Sequence, residues 1–271
     1  MKKHEVTGGG VKLHVVETGD PAAQPILFIH GFSQSSGAWA RQFDSDLAKD
    51  HRLVALDLRG HGHSEKPRNA YGDTKAWADD IRAVIQALGL KRPVLSGWSY
   101  GPLVALDYVR HYGDDTLGGL QFIGGISKIG SDAAMAVISQ DFIDLVPGFF
   151  SEVAADSRRA LEALIRLCIP RGLTADEAGR LLDASASVPS YVRQGLFARA
   201  VDNDDVLKRL RVPVLLTHGT ADAVIKPSIV DAHKALIAKA EADLLPGAPH
   251  AMFWTDAAEF NRRLRAFCAK L

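Results

Sequence analysis

The sequence predicts an α/β fold: a mostly parallel sheet flanked by helices, with a helical cap inserted into it. Three observations predict this. Short apolar runs end at glycine, longer stretches of helical period separate them, and one long segment lacks the strand rhythm altogether. A chain of 271 residues that is 47% hydrophobic can bury one large core and still carry an insertion.

In chain order, "VKLHVVE" (11–17) alternates apolar and polar residues and is predicted to be an antiparallel edge strand. "ILFI" (26–29), "LVAL" (53–56), "PVLSGW" (93–98), "LQFIGG" (120–125) and "VPVLLTHG" (212–219) do not alternate, which is the pattern of strands covered on both faces. Between them Trp77, Ile81, Val84, Ile85 and Leu88 form one stripe of a helix lying on the sheet. Leu103 to Val109 is apolar nearly all round, as in a helix buried against the sheet centre. Ile229, His233, Leu236 and Ile237 mark a later helix, Asp243–Leu245 a short strand, and Phe260, Leu264 and Phe267 a C-terminal helix.

From 128 to 206 the chain is rich in helix formers, has no clear strand, and is broken by Pro147, Pro170 and Pro189. It is expected to be the cap, set over the carboxyl edge of the sheet where open α/β sheets bind ligands, with 1–127 and 207–271 as the core. The aromatics Phe142, Phe149, Phe150, Tyr191 and Phe197 are expected either to line a pocket or to form the cap's own core.

Thirty-two basic residues balance thirty-two acidic ones, so no long-range field favours nucleic acid or an anionic membrane, and a small neutral substrate fits better. Cys168 and Cys268 stand alone, outside any metal-like spacing, and are expected to be buried thiols. Met1-Lys2-Lys3 is followed by His4-Glu5 rather than by an apolar run, which argues against a signal peptide. No apolar stretch approaches the roughly 18 to 20 residues of a membrane helix, and the protein is expected in the cytoplasm. The oligomeric state is left open, a homo-oligomer included.

The chemistry is predicted from "GWSYG" (97–101). It follows a buried strand and opens an apolar helix, the setting of a nucleophile elbow. So tight a turn brings strand and helix backbones together, so Gly97 and Gly101 must lack side chains, and Pro102 falls in the first helical turn where its missing N–H costs nothing. Ser99 at the apex needs a base to take its proton and an acid to orient that base. Asp222 in "HGTAD", after the strand "VPVLLTHG", and His250 in "PGAPHAMFW" supply them in the chain order Ser, Asp, His. An oxyanion also needs two main-chain donors, expected at Tyr100, which follows the serine, and at Phe32, where "HGF" (30–32) bends at Gly31. His30 is read as turn architecture. Trp98, Phe32, Met252 and Phe253 are expected pocket walls.

"FIHGF", "DLRGHGHS" (57–64), "GWSYG", "HGTAD" and "GAPHAMFW" together resemble the α/β-hydrolase superfamily and span nearly the whole chain outside the cap. Within it, "HGTAD" followed by "GAPHAMFWTDAAEFN" resembles cofactor-free haloperoxidase and perhydrolase-like serine esterases. The resemblance implies an eight-stranded sheet, a triad of Ser99, Asp222 and His250, an oxyanion hole at Phe32 and Tyr100, an ester-type small-molecule substrate, and no metal or cofactor. The sequence departs from it at Tyr100, where a small or sulfur-bearing residue is usual, and at Pro102, where a further glycine is usual.

The expected activity is therefore cleavage of carboxylic esters, lactones or thioesters through an acyl-enzyme. Perhydrolase chemistry, C–C bond or hydroxynitrile cleavage, and a non-catalytic receptor on the same fold are the alternatives. His61 and His63 form an H-x-H pair, but no D-H pair follows, and the stretch reads as a glycine-rich loop. A serine at 99, where carbon-opening relatives of the superfamily carry an aspartate, argues for acyl chemistry.

Overall fold

Strands and helices follow one another from Lys2 to Cys268 in the computed structural model, which describes residues 1–271. The first half runs β1 (Lys2–Gly8), β2 (Val11–Thr18), β3 (Pro25–Ile29), α1 (Ala40–Phe43), α2 (Leu47–Asp50), β4 (Arg52–Leu56), α3 (Thr74–Ala87), β5 (Val94–Trp98), α4 (Gly101–Tyr112) and β6 (Gly119–Ile123). A segment dominated by helices follows: β7 (Lys128–Ile129), α5 (Asp132–Ala136), α6 (Gln140–Phe149), α7 (Ala154–Cys168), α8 (Ala175–Ala186), α9 (Ser190–Phe197) and β8 (Val201–Asp202). The chain ends with α10 (Asp204–Lys208), β9 (Val214–Gly219), α11 (Ile229–Leu236), β10 (Ala240–Leu245), α12 (Met252–Thr255) and α13 (Ala257–Cys268).

Eight strands form one sheet in the order β1-β2-β4-β3-β5-β6-β9-β10, in which β2 runs antiparallel to both its neighbours, β1 and β4, and every other neighbouring pair is parallel. After β4 the chain crosses back over β3 to lay down β5, so the order reverses there and the carboxyl ends of β3 and β5 open side by side, Ile29 opposite Gly97. A switch point of this kind leaves a crevice for ligand. All residues of β3, β5, β6 and β9 are buried, as their unbroken apolar runs require.

Three expectations are corrected. The strand at 11–17 is not the edge: β1 pairs outside it, and its sequence KKHEVTG hides a strand because only Val6 and Gly8 are buried, the charged pattern that keeps an edge from recruiting another chain. The segment 128–206 is not free of strand, since β7 and β8 pair antiparallel and draw its two ends together at Lys128–Asp202. Pro147 does not break the chain but lies inside α6, whereas Pro170 and Pro189 stand between helices.

The helices between β7 and β8 are laced by Arg193. Buried on α9, it donates through Nε to the Phe149 carbonyl at 2.7 Å, through Nη1 to the carbonyls of Val188 and Ser185, and through Nη2 to Ser157 Oγ at 3.0 Å. One guanidinium thus donates to carbonyls at or just past the ends of two helices, where intrahelical donors run out, although the Ser185 carbonyl also accepts from Val188 N–H and Ser33 Oγ. No helix is long and apolar enough to cross a membrane.

Candidate active site

Ser99 stands at the turn between β5 and α4 in the left-handed backbone region, φ 57°, which a residue with a side chain occupies only when its surroundings hold it there. Its N–H donates to the Ile123 carbonyl at 2.9 Å and its carbonyl accepts from Ile126 at 3.1 Å, so the end of β6 braces the turn. The flanking glycines are needed for space. A Cβ at position 97 would lie 2.7 Å from the Gly101 carbonyl carbon, and one at 101 would lie 2.4 Å from the Ile29 carbonyl oxygen.

His250 lies in the loop before α12 and Asp222 just after β9, with both side chains buried apart from the face His250 turns to the cavity. His250 Nδ1 is 2.7 Å from Asp222 Oδ2, so Nδ1 carries the proton and Nε2 keeps its lone pair. The Trp98 indole donates to the His250 carbonyl at 3.2 Å, and its ring lies 5.5 Å from the imidazole. Gly124, at φ 49°, leaves room for the pair: a Cβ there would sit 2.9 Å from His250 Nδ1.

Asp222 has more donors than its motif alone predicts. Oδ1 accepts from the N–H groups of Val224 and Ile225 at 2.8 and 2.9 Å, and Oδ2 is also 3.2 Å from Nε2 of His218. That nitrogen lies 3.0 Å from the Ile225 carbonyl as well; both neighbours are acceptors, so it carries the proton. Burial opposes ionisation of Asp222, but the charge of His250 and the hydrogen bonds from His218 and His250 outweigh it and hold the carboxyl below the usual carboxylate range. His218 stands four residues before Asp222 within "HGTAD", and that spacing was the available signal.

The Phe32 and Tyr100 amides make no hydrogen bond within the chain, and both residues border the cavity that Ser99 faces. The two turns touch: a Cβ on Gly31 would lie 3.0 Å from the Ser99 Cβ. His30 is occupied elsewhere, Nδ1 with the Gly31 carbonyl at 2.8 Å and Nε2 accepting from Leu58 N–H at 3.0 Å, and burial pushes its pKa down. His61 is buried with Nδ1 2.9 Å from the Arg59 carbonyl, while His63 is exposed against His14.

Ser99, His250, Phe32, Tyr100 and Trp98 share a cavity of about 170 Å³, in which 21 of 26 lining residues are hydrophobic. Phe142 and Phe197 line it; Phe149, Phe150 and Tyr191 do not. Met252 and Phe253, expected walls, are absent from the lining: both are fully buried, and Phe253 packs on Trp39, Trp98 and Phe260, because α12 turns into the core directly after His250. Gln34, Lys128 and Cys168 are polar or sulfur-bearing lining residues that the motifs did not indicate. The Lys128 ammonium is neutralised by Asp204 at 2.6 Å and Asp202 at 3.2 Å, and burial, with the Asp222 charge adding to it, keeps Cys168 a thiol.

Comparisons with known proteins agree with this architecture. The esterase RhEst1 from Rhodococcus sp. ECU1013 superposes with a TM-score of 0.95 at 36% identity, covering 100% of both chains. The bifunctional esterase/perhydrolase DCH of Acinetobacter calcoaceticus is 29% identical over 96% of this chain and 97% of its own. A non-heme chloroperoxidase of Streptomyces lividans is 27% identical over 96% and 97%. The family model described as the alpha/beta hydrolase family matches residues 26–263, nearly the whole core and all of the inserted helices, and the chain belongs to that family.

Proposed function

We propose that this chain is a serine hydrolase that cleaves small apolar carboxylic esters through an acyl-enzyme. The observation that carries the reading is the opening of Ser99 and of His250, itself fastened to Asp222 at 2.7 Å, into one apolar cavity. The His250 Nε2 lone pair takes the Ser99 proton as Oγ attacks the ester carbonyl, and Asp222 steadies the imidazolium through the Nδ1 proton. The free amides of Phe32 and Tyr100 receive the oxyanion. As the tetrahedral species collapses, His250 returns the proton to the departing alcohol. A water, deprotonated by His250 in turn, then releases the acid and frees Ser99.

The cavity supports the substrate class. An apolar cavity of about 150 Å³ holds one benzene ring, so a volume of about 170 Å³ suits a compact acyl group better than a long chain. Hydrolysis of short 4-nitrophenyl esters tests the reading. Ser99→Ala is expected to lower kcat by a factor on the order of 10⁴ to 10⁶, and equal rates for native and variant protein would end the proposal.

A second reading at the same serine draws support from the relatives named perhydrolase and chloroperoxidase. If hydrogen peroxide replaces water in attack on the acyl-enzyme, the product is a peracid, which oxidises halide in solution. Acetate, peroxide and bromide with an indicator dye report it, and a signal persisting in Ser99→Ala would exclude this route.

A further inference from the structure

Outside the site, the densest buried charge lies around Trp77. Arg59 pairs with Asp80 at 2.7 Å and Arg199 with Asp107 at 2.5 Å, all four side chains fully buried, and the two guanidinium carbons sit 5.5 and 5.4 Å from the Trp77 ring. The Arg59 pair is accounted for by the fold, because Arg59 also donates to the carbonyls of Gly9, Ala70 and Ala76 and so ties the loops beside β1 and α3. Arg199 is different. Its Nη1 donates to the Tyr100 hydroxyl at 3.0 Å, its Nη2 to Asp107, and its Nε and Asp107 Oδ1 have no partner at all.

Buried ion pairs are poor stabilisers, since an apolar replacement of similar volume is often as stable, so this partly satisfied pair calls for another reason. Its placement supplies one. Tyr100 directly follows Ser99 and caps α4, while Asp107 lies on that helix, so both are core residues of the elbow and its helix. Arg199 follows α9 at the root of the inserted helices, and the Tyr100 hydroxyl's other partner, the Leu196 carbonyl at 3.4 Å, belongs to α9. Every bond to that hydroxyl therefore comes from the cap. Burial pushes the Tyr100 phenol up to about 12, against the pull of Arg199, so it is a neutral donor and acceptor at any working pH. Burial also pushes the Asp107 carboxyl up to about 6, with Arg199 holding it down, which leaves it ionised at neutral pH.

We propose that Arg199 is a positioning residue: held by Asp107, it fixes the Tyr100 ring and so aims the Tyr100 N–H at the oxyanion, making the elbow competent when the cap is seated. The inference rests on the serine-hydrolase reading above. It also gives the aromatic residue at 100, unusual for the superfamily it resembles, a task.

Tyr100→Phe removes only the hydroxyl and keeps the buried ring, and it carries the test even if Arg199 variants do not fold. We expect kcat for a 4-nitrophenyl ester to fall on the order of 10- to 100-fold, less than the loss of a whole oxyanion donor, with KM little changed and the unfolding midpoint lowered by only the few degrees that a lost buried hydrogen bond costs. Arg199→Lys, which keeps the charge but not the fork, is expected to show the same kcat defect, and the double variant no more than either single one. Native kcat in Tyr100→Phe, or single-variant losses that multiply in the double variant, would overturn the proposal. Ser99→Ala measured alongside separates the two failures: ester turnover that survives it defeats the hydrolase reading, whereas Ser99-dependent turnover indifferent to Tyr100→Phe defeats only this one.

Discussion

The two walls of the cavity are built on opposite terms. The core wall carries two polar groups, Ser99 and His250, among apolar side chains, and each is fixed from behind: Ser99 by β6, and His250 by Asp222, which is itself held by two amides and two imidazoles. The cap wall presents Ile138, Phe142, Leu164, Ile165 and Phe197, and the polar group that organises it, Arg193, is turned away from ligand to hold helix ends together. Directional bonds fix reacting atoms to fractions of an ångström, while apolar contacts measure size. On the proposed mechanism the chemistry belongs to the core wall and the cap wall measures the substrate, so each should be open to perturbation without the other.

The largest effect is expected on the core side. Asp222→Asn keeps the shape of the side chain but offers an amide where two imidazole N–H groups converge, so His250 loses the partner that fixes its tautomer. On the proposed mechanism kcat should fall by about 10⁴, with the cavity and KM for compact esters preserved. A comparable rise in KM would mean that the two walls are not independent.

A smaller effect, on stability rather than chemistry, is expected on the cap side. Arg193→Met leaves the carbonyls of Phe149, Ser185 and Val188 without their charged donor, at a cost of about 3 to 5 kcal/mol. Since Arg193 does not border the cavity, the protein that remains folded should turn over compact esters at close to the native kcat. Denaturant unfolding followed alongside active-site titration checks both halves.

The core wall was legible in the sequence because its chemistry restricts residue type. Only glycine fits at 97 and 101, and the serine between them stands at the end of an apolar strand, the place the proposed mechanism gives its nucleophile. The cap wall was not, because an apolar position on α6 serves the cap's interior or the cavity with the same side chain: Phe142 lines the cavity, Phe149 does not, and both are aromatic positions on one helix. Met252 and Phe253 misled through proximity to His250 in sequence, since a loop that delivers one residue to the site sends the next ones into the core. Arg199 and Asp107 lie 92 positions apart, and no local pattern could pair them.

Histidine placement offers the finest separation of the two walls. The chain has ten histidines and none lies between 128 and 206. In the core, His14, His30, His51, His61 and His233 all have pKa values lowered first of all by burial. His233, 3.0 Å from Ser127 Oγ beneath β6, is pushed down to about 4. Between about pH 6.5 and that value the unfolded chain binds a proton that the native chain refuses, so stability falls as pH falls through this window and levels off below it. For His233 alone the loss between pH 7.5 and pH 5 is on the order of 2 kcal/mol, a few degrees in the unfolding midpoint of a chain this long. His233→Gln, which removes the titration and keeps an amide to meet Ser127, should flatten that part of the profile. If acid instead loosens the cap first, seen as ester turnover lost while the core's unfolding signal is intact, then the cap responds to pH without a histidine of its own, and the contact between Arg199 and Asp107, whose carboxyl titrates at about 6, becomes the route.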